Sequence, residues 1–247
     1  MGHYHRIINL TQHAEIVPMD VGVLDKLLEF GPSPGSAMAA LWLLLGREAW
    51  CGDRIAILGY EGRPDDLSAD VVAETGLDGT AFYAETLSNA GRLARSVLTE
   101  RGICRFAEDT CSDDVTWWHW EPAPHVAPAG VDVVAADLDR REVLDPAQFG
   151  DSRDLHVAAW RGGYGGVTTA LTFVLAASNR GGSRGGGDFR SCHPLLGAWA
   201  GDRLALLPLR SAAGFTDVSA AVRHELEAIG EGRYVVAEGS VSRQVPW

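Results

Sequence analysis

The chain has 247 residues, of which 46% are hydrophobic and 22% are charged, and its formal net charge is −12 at pH 7. This composition is typical of a globular protein, and the length suits one large domain or two small ones. The acidic balance argues against a nucleic-acid binder, which presents a basic face, and the apolar runs are too short for a membrane span.

The first part of the chain predicts alternating strands and helices. Alternating apolar side chains indicate two short strands, over residues 4–10 and 14–17. A nearly all-apolar stretch, residues 36–46, predicts a buried helix, and residues 54–60 predict a strand inside a sheet. Apolar residues at helical spacing predict an amphipathic helix over residues 80–101.

Residues 106–130 break this pattern with aspartates and prolines, which predicts a connector. It contains the aromatic run Trp117-Trp118-His119-Trp120. Three tryptophans in four residues cannot all face one core from a strand. We therefore expect at least one of them at the surface or an interface, and packing between two domains is the simplest use for them.

The residues after the connector predict a second series of elements. These are strands over 131–136, 143–144, 155–160, 203–208 and 234–237, and helices over 167–177 and 216–229. Because strands and helices alternate throughout, the predicted fold class is α+β or α/β.

One sequence occurs twice. Residues 49–58 are AWCGDRIAIL and residues 198–207 are AWAGDRLALL, so nine of ten positions are identical or exchange one aliphatic residue for another. The similarity extends back to residues 8–10 and 136–138, and forward to two short helices, 65–74 and 216–227. A repeat of this kind predicts two homologous α+β halves, produced by an internal duplication and packed as a pseudo-dimer.

The predicted domain boundaries follow from the repeat. The first half comprises residues 1–105, the connector residues 106–130, and the second half residues 131–247. Equivalent residues of the two copies are at most 130 positions apart in the chain up to the buried helix, and 149 positions apart at the repeated tryptophan. The second copy therefore carries 149 − 130 = 19 more residues. Asymmetry of this kind suggests that one copy carries a site while the other is scaffold.

Most of the extra sequence is a segment rich in glycine and arginine, residues 178–194. Glycine backbone N–H groups can turn toward an anion, and arginine suits bidentate contact with phosphate or carboxylate. A flexible surface loop is the alternative. The candidate ligand-binding residues are Arg180, Arg184, Gly185, Gly186, Gly187 and Arg190.

Candidate acids and bases lie in or near the same segment. Asp188 and His193 could serve in proton transfer, and Asp202 could lie beside the glycines as a ligand or a base. The pair Asp202-Arg203 recurs as Asp53-Arg54, which favours a structural role, with the carboxylate capping a turn and the arginine pairing across the two halves.

A second glycine-rich turn precedes the buried helix of the second half. Residues 162–166 are GGYGG, and free N–H groups at a helix start favour anions, so Gly165 and Thr168 are further candidates. The spacing matches neither a P-loop nor a dinucleotide fingerprint, and a tight turn with close helix–strand packing is the alternative.

The sequence predicts no metal site, and it leaves any cofactor unknown. His13-Ala14-Glu15 matches the His-x-Glu of zinc deaminases, but the chain lacks the Cys-x-x-Cys that those enzymes need. The spacing of Cys104 and Cys111 exceeds that of zinc ligands.

The N-terminus and the cysteines indicate the cellular compartment. The N-terminus lacks the apolar region of a secretion signal. The four cysteines are too few and too scattered for a disulfide framework, so we expect a cytoplasmic protein with reduced thiols.

The second half resembles a group of uncharacterised bacterial proteins. Their pattern runs Leu-Asp-Pro-x-x-Phe-Gly-Asp, then Gly-Arg-Gly-Gly-Gly-Asp, then Trp-Ala-Gly-Asp-Arg. The corresponding segments here begin at Leu144, Ser183 and Trp199, with serine in place of the first glycine of the middle motif. The resemblance implies a shared fold and no particular reaction, and it draws attention to Arg184 and Asp188.

These observations favour a protein that binds an anionic small molecule or a partner through the Gly/Arg-rich segment. Binding is preferred to catalysis because no nucleophile–base pair or cofactor fingerprint is visible. One alternative is a hydrolase for a phosphate-containing small molecule, with Asp188, Asp202 or His193 as acid or base. Another is an immunity or regulatory module that binds a protein through the tryptophan-rich connector.

Overall fold

The computed structural model describes residues 3–22, 26–30, 36–46, 49–110, 116–122, 132–150, 166–180 and 188–230, with the backbone alone for 107–110 and 116–122. The predicted strands at 155–160 and 234–237 lie outside these residues. The strands are β1 (His5–Asn9), β2 (Ala14–Ile16), β3 (Ile55–Gly59), β4 (Ser88–Asn89), β5 (Cys104–Thr110), β6 (Thr116–Pro122), β7 (Val133–Asp137), β8 (Glu142–Leu144), β9 (Leu204–Pro208) and β10 (Thr216–Asp217). The helices are α1 (Leu27–Phe30), α2 (Ala37–Leu45), α3 (Ala69–Thr75), α4 (Gly91–Glu100), α5 (Val167–Leu175) and α6 (Ser219–Gly230).

Two sheets of four strands have the same topology. The first has the order β3-β1-β2-β4, with β1 antiparallel to both neighbours and β2 parallel to β4. The second has the order β9-β7-β8-β10, with the same direction at every pairing. The described helices and strands bear out the α+β fold class, and each of these two sheets takes all four of its strands from one half of the chain.

Reciprocal backbone hydrogen bonds join the two sheets at the repeated Gly-Asp-Arg segments. Gly52 N donates to Leu204 O at 2.7 Å, and Gly201 N donates to Ile55 O at 2.8 Å. Both glycines need the left-handed region, with φ of 85° and 88°. Arg54 forms an isolated antiparallel bridge with Arg203. Each half therefore contributes the same donors and acceptors to the contact.

The core lies between the sheets and contains the two apolar helices. All nine residues of α2 and all nine of α5 are buried, and the two helices pack against each other. Ser36 caps α2 by accepting from Ala39 N at 3.1 Å. A helix that is apolar on every face can be stable only when it is covered all round, which is the environment found here.

Helix α6 corresponds to a different helix of the first half from the one that the sequence repeat indicates. The prediction pairs residues 65–74 with 216–227. In the structure α6 follows the edge strand β10, as α4 follows the edge strand β4. Each of these helices also packs on the 3-10 turn after the second strand of its sheet, at Pro18–Val21 or Pro146–Phe149. The counterpart of α6 is therefore α4.

The predicted helix over residues 80–101 is wrong in its first half. Residues Ala81–Tyr83 form a 3-10 turn, and β4 pairs with β2 at the edge of the sheet. The helix begins at Gly91, where Asn89 Oδ1 accepts from Gly91 N at 2.6 Å. Backbone pairing to an open sheet edge outweighed the helical spacing of the apolar residues.

The connector is more regular than the sequence suggests. β5 and β6 form an antiparallel hairpin in which Phe106 opposes Trp120 and Glu108 opposes Trp118. The tryptophan run therefore lies within a strand. Among the described residues, no helix is long and apolar enough to cross a bilayer.

Candidate functional site

The candidate residues divide into described and undescribed positions. Arg184, Gly185, Gly186, Gly187 and Gly165 lie outside the described residues. Asp188, His193, Asp202, Arg180, Arg190 and Thr168 are described, and each has its own surroundings.

Asp188 lies against two histidines from the start of the chain. His3 Nδ1 lies 2.9 Å from both Asp188 carboxylate oxygens, and His5 Nε2 lies 3.6 Å from Oδ1. All three side chains have 0% exposure, and the whole Asp188 residue, backbone included, is 3% exposed. The structure thus joins the extra segment of the second half to the first strand of the first half, over a separation of 185 residues.

The spacing of the histidines explains why both reach Asp188. Residues two apart in extended chain point to the same face, so His3 and His5 share the side that Asp188 covers. The two rings contact each other with centroids 4.1 Å apart. His5 also meets Phe30 edge-on at 6.4 Å, and His3 meets Tyr60 edge-on at 5.2 Å.

A glycine on the neighbouring strand makes room for the rings. Gly59 is opposite His5 in the sheet. A Cβ at this position would lie 2.3 Å from His3 Nε2, which no real contact allows. Glu61 N–H points at the same Nε2 over 3.4 Å, so Nε2 accepts and the ring proton lies on Nδ1, facing Asp188.

Hydrogen bonds hold the base of the Gly/Arg-rich segment, which consists of Ser178, Asn179 and Phe189. Asn179 Nδ2 donates to Phe189 O at 3.1 Å, and Phe189 N donates to Asn179 Oδ1 at 2.7 Å. Ser178 Oγ accepts from Gly59 N at 2.9 Å, which attaches the same base to β3. Residues 178, 179 and 189 are therefore fixed to one another and to the sheet that carries the histidines.

Arg180 and Arg190 have different surroundings. Arg180 donates to Gly197 O, and burial of its guanidinium, with the nearby charge of Arg140, lowers the pKa of Arg180 from its usual value. Arg190 is exposed, whereas its neighbours Phe189 and Ser191 are buried.

Thr168 and His193 make hydrogen bonds with residues close to them in the chain. Thr168 is fully buried inside α5, and its carbonyl accepts from Thr172 Oγ1 at 2.8 Å. His193 Nδ1 faces Leu195 N at 3.2 Å, while Ser191 Oγ donates to Glu225 at 2.6 Å. These contacts order the chain that leads from the loop toward Trp199.

Asp202 is part of a second polar group, in which Asp137 is the buried member. Its carboxylate accepts from Arg140 Nε at 2.7 Å and lies beside Asp137, which is 0% exposed. Burial, together with the charge of Asp202, raises the pKa of Asp137 to about 8. The equivalent contact in the first sheet joins Asn9 Nδ2 to Asp53 Oδ2 at 2.8 Å.

The arginines of the repeated motif lie on the contact between the halves. Arg54 donates to Asp139 at 3.0 Å, to Gly201 O at 3.0 Å and to Glu74 at 2.7 Å. Arg203 donates to the same Asp139 at 2.6 and 2.8 Å. The structural role expected for the repeated Asp-Arg pairs agrees with these contacts.

Sequence reasoning missed His3, His5 and Asp137. A usable signal existed for the histidines, because His-x-His at the start of a strand places two imidazoles on one face. For Asp137 the signal was its alignment with Asn9 in the other copy, an acid at the position of an amide.

Comparison with models of known protein families gives no match, and neither does comparison with curated proteins or with solved structures. The resemblance of the second half to the uncharacterised bacterial group therefore stays a prediction.

Proposed function

We propose that this protein binds an anionic ligand at the Gly/Arg-rich segment, residues 178–194. One observation carries the proposal: the only carboxylate in the segment, Asp188, is buried against His3, while Arg190 is an exposed residue. The segment thus presents positive charge on a protein whose formal net charge is −12.

The local chemistry supports a small oxyanion as ligand. Guanidinium groups match the geometry of phosphate and carboxylate, and glycines allow the backbone to approach such groups closely. The hydrogen bonds between Asn179 and Phe189 already hold these two residues together, which reduces the entropy that a ligand would have to remove.

We further propose that the two halves arose by duplication and that the second specialised. The equal strand orders, equal pairing directions and reciprocal hydrogen bonds support this origin. A bacterial and cytoplasmic setting agrees with the resemblance and the cysteine content, and it remains part of the proposal.

A hydrolase for phosphate-containing small molecules is the second candidate. The contact between His3 and Asp188 favours it, because a histidine oriented by a carboxylate is a common acid–base arrangement. A protein-binding module that uses the tryptophan-containing hairpin β5–β6 is the third candidate.

A thermal-shift screen of the full chain tests anion binding. The probes are orthophosphate, pyrophosphate, nucleotides, sugar phosphates and dicarboxylates, at constant ionic strength. We expect one class to raise the Tm by several degrees in the wild type and in Arg92→Gln, an exposed arginine of α4. Arg184→Gln should abolish the shift without changing the Tm of the ligand-free protein.

Two results would overturn the proposal. One is the lack of any shift across the panel, which would move the weight to the protein-binding candidate. The other is an equal shift in Arg184→Gln and wild type, which would place the anion elsewhere on the chain.

A further inference from the structure

Three side chains of the kinds that bind metals meet in one buried place. Within the described residues, the ligand atoms of His3, His5 and Asp188 all lie within 4.8 Å of one another. Each of the three side chains has 0% exposure. Ionisable groups are rarely this buried unless they are paired or coordinate a metal.

We propose that His3, His5 and Asp188 bind a divalent first-row transition-metal ion. The donor set is two imidazole nitrogens and one carboxylate oxygen. Imidazole suits zinc, iron, nickel and copper, whereas calcium and magnesium prefer oxygen ligands alone. This inference does not depend on anion binding by the Gly/Arg-rich segment.

The distances suit such an ion after a small adjustment. With bonds of about 2.0–2.1 Å, the ligands of a tetrahedral site lie about 3.3 Å apart. His3 Nδ1 is 2.9 Å and His5 Nε2 is 3.6 Å from Asp188 Oδ1, on either side of that value. Three protein ligands leave room for a water or a substrate atom, as in catalytic zinc sites.

The metal would take the position of the proton on His3 Nδ1, which now faces Asp188. In the neutral ring that proton is on Nδ1, because Nε2 faces the Glu61 N–H. When Nδ1 gives its lone pair to the metal, the ring proton moves to Nε2, and the 3.4 Å contact from Glu61 N–H is lost. The ring remains neutral, and no co-reactant is required.

The second sheet lacks the equivalent site. Val133 opposes Pro208 in the second sheet, as His5 opposes Gly59 in the first. A buried valine at this position supplies no ligand, so the described part of the second sheet holds no counterpart of this cluster. Its carboxylate comes from the extra segment that only the second half possesses.

Because the site joins the two halves, metal binding should change the stability of the fold. His3 and His5 belong to the first half, and Asp188 belongs to the second. An ion that binds only the folded arrangement stabilises it, in proportion to its concentration above the dissociation constant. Metal addition should therefore raise the Tm of the whole chain.

Direct metal binding by the full-length protein tests the proposal. The chain is stripped with a chelator and titrated with Zn²⁺ by calorimetry, and with Co²⁺ by visible absorption, which reports coordination number. We expect one ion per chain. His5→Val, which copies the second sheet, and Asp188→Asn should each weaken binding at least about 100-fold, since loss of outer-shell partners alone costs 10–100-fold.

The matched control is His224→Gln, which removes an exposed histidine of α6 and should leave binding unchanged. Circular dichroism checks that each variant is folded. If Asp188→Asn does not fold, His5→Val and the wild-type stoichiometry still decide. Lack of a stoichiometric ion in the wild type, or equal affinity in His5→Val, would overturn the site and leave a hydrogen-bonded histidine–aspartate pair.

Discussion

Asn9 and Asp137 occupy the same position in the two sheets: Asn9 pairs with Ile55 and Asp137 pairs with Leu204. The side-chain oxygen of each accepts backbone N–H groups of the following turn, at 2.8–2.9 Å. Asn9 then donates to Asp53 with its amide, a bond that Asp137 can form with Asp202 only when it is protonated.

Asp137→Asn should therefore stabilise the protein above neutral pH. The pKa of Asp137 is about 8 in the folded state and about 3.9 in an unfolded chain. Stability from the protonated form is complete below pH 4 and is lost as the pH rises toward 8. We expect the variant to be more stable at pH 8.5, by at most about 5 kcal/mol at about 1.4 kcal/mol per pKa unit, and nearly neutral at pH 4.5.

Urea unfolding at the two pH values measures this difference. The matched control is Asp132→Asn, an exposed aspartate just before β7, which should change stability little at either pH. Equal effects of Asp137→Asn at pH 4.5 and 8.5 would contradict a protonated Asp137.

The same pair of residues shows what the sequence could reveal. The buried helices α2 and α5 and the strands β1, β3 and β9 follow from local apolar patterns, and the repeat predicted two related halves. The charge state of Asp137 did not follow, because it depends on Asp202, which is 65 residues away in the chain and beside it in the fold.

The candidate site was only partly predictable for a similar reason. Asp188 was selected from its glycine-rich surroundings, but its partners lie 185 residues earlier. Local signals also failed at β4, where pairing with β2 ended the expected helix. Long-range pairing of polar groups leaves little trace in a single sequence, whereas burial of apolar faces leaves a period.

Gly59→Ala should displace His3 and destabilise the fold. The new Cβ would lie 2.3 Å from His3 Nε2, and His3 cannot move freely because Asp188 holds it at 2.9 Å. Overpacking of this kind costs about 1–3 kcal/mol. Gly230→Ala has open space and should cost much less.

A double-mutant cycle checks the cause. If His3 is the obstacle, Gly59→Ala should cost clearly less in a His3→Ala background than in the wild type. Equal costs in the two backgrounds would mean that other contacts of β3 resist the methyl group.

Asn179→Ala should loosen the base of the Gly/Arg-rich segment. It removes both partners of the buried Phe189 backbone, and unsatisfied buried groups cost about 1–3 kcal/mol each. Hydrogen exchange at the Phe189 amide should accelerate strongly. Asn179→Asp keeps the acceptor for Phe189 N and should protect that amide better than alanine does. If alanine leaves exchange unchanged, Phe189 is held by other contacts.

Asp139→Asn should weaken the contact between the two halves in a pH-dependent way. Burial tends to raise the pKa of Asp139, but hydrogen bonds from Arg203 and the charge of Arg54 outweigh it and lower the pKa. A lowered pKa gives stability that is present at neutral pH and is lost as the pH falls below the usual range.

For this partly exposed group we expect a cost of about 1 kcal/mol at pH 7, and much less at pH 3 or in high salt. Denaturation of Asp139→Asn beside Glu85→Gln, an exposed acid in a turn, measures the difference. Since Arg54 reaches Asp139 across the halves, Arg54→Gln should lose part of its own cost once Asp139 is neutral. Fully additive costs would show that Arg54 is held mainly by Glu74 and by the Gly201 carbonyl.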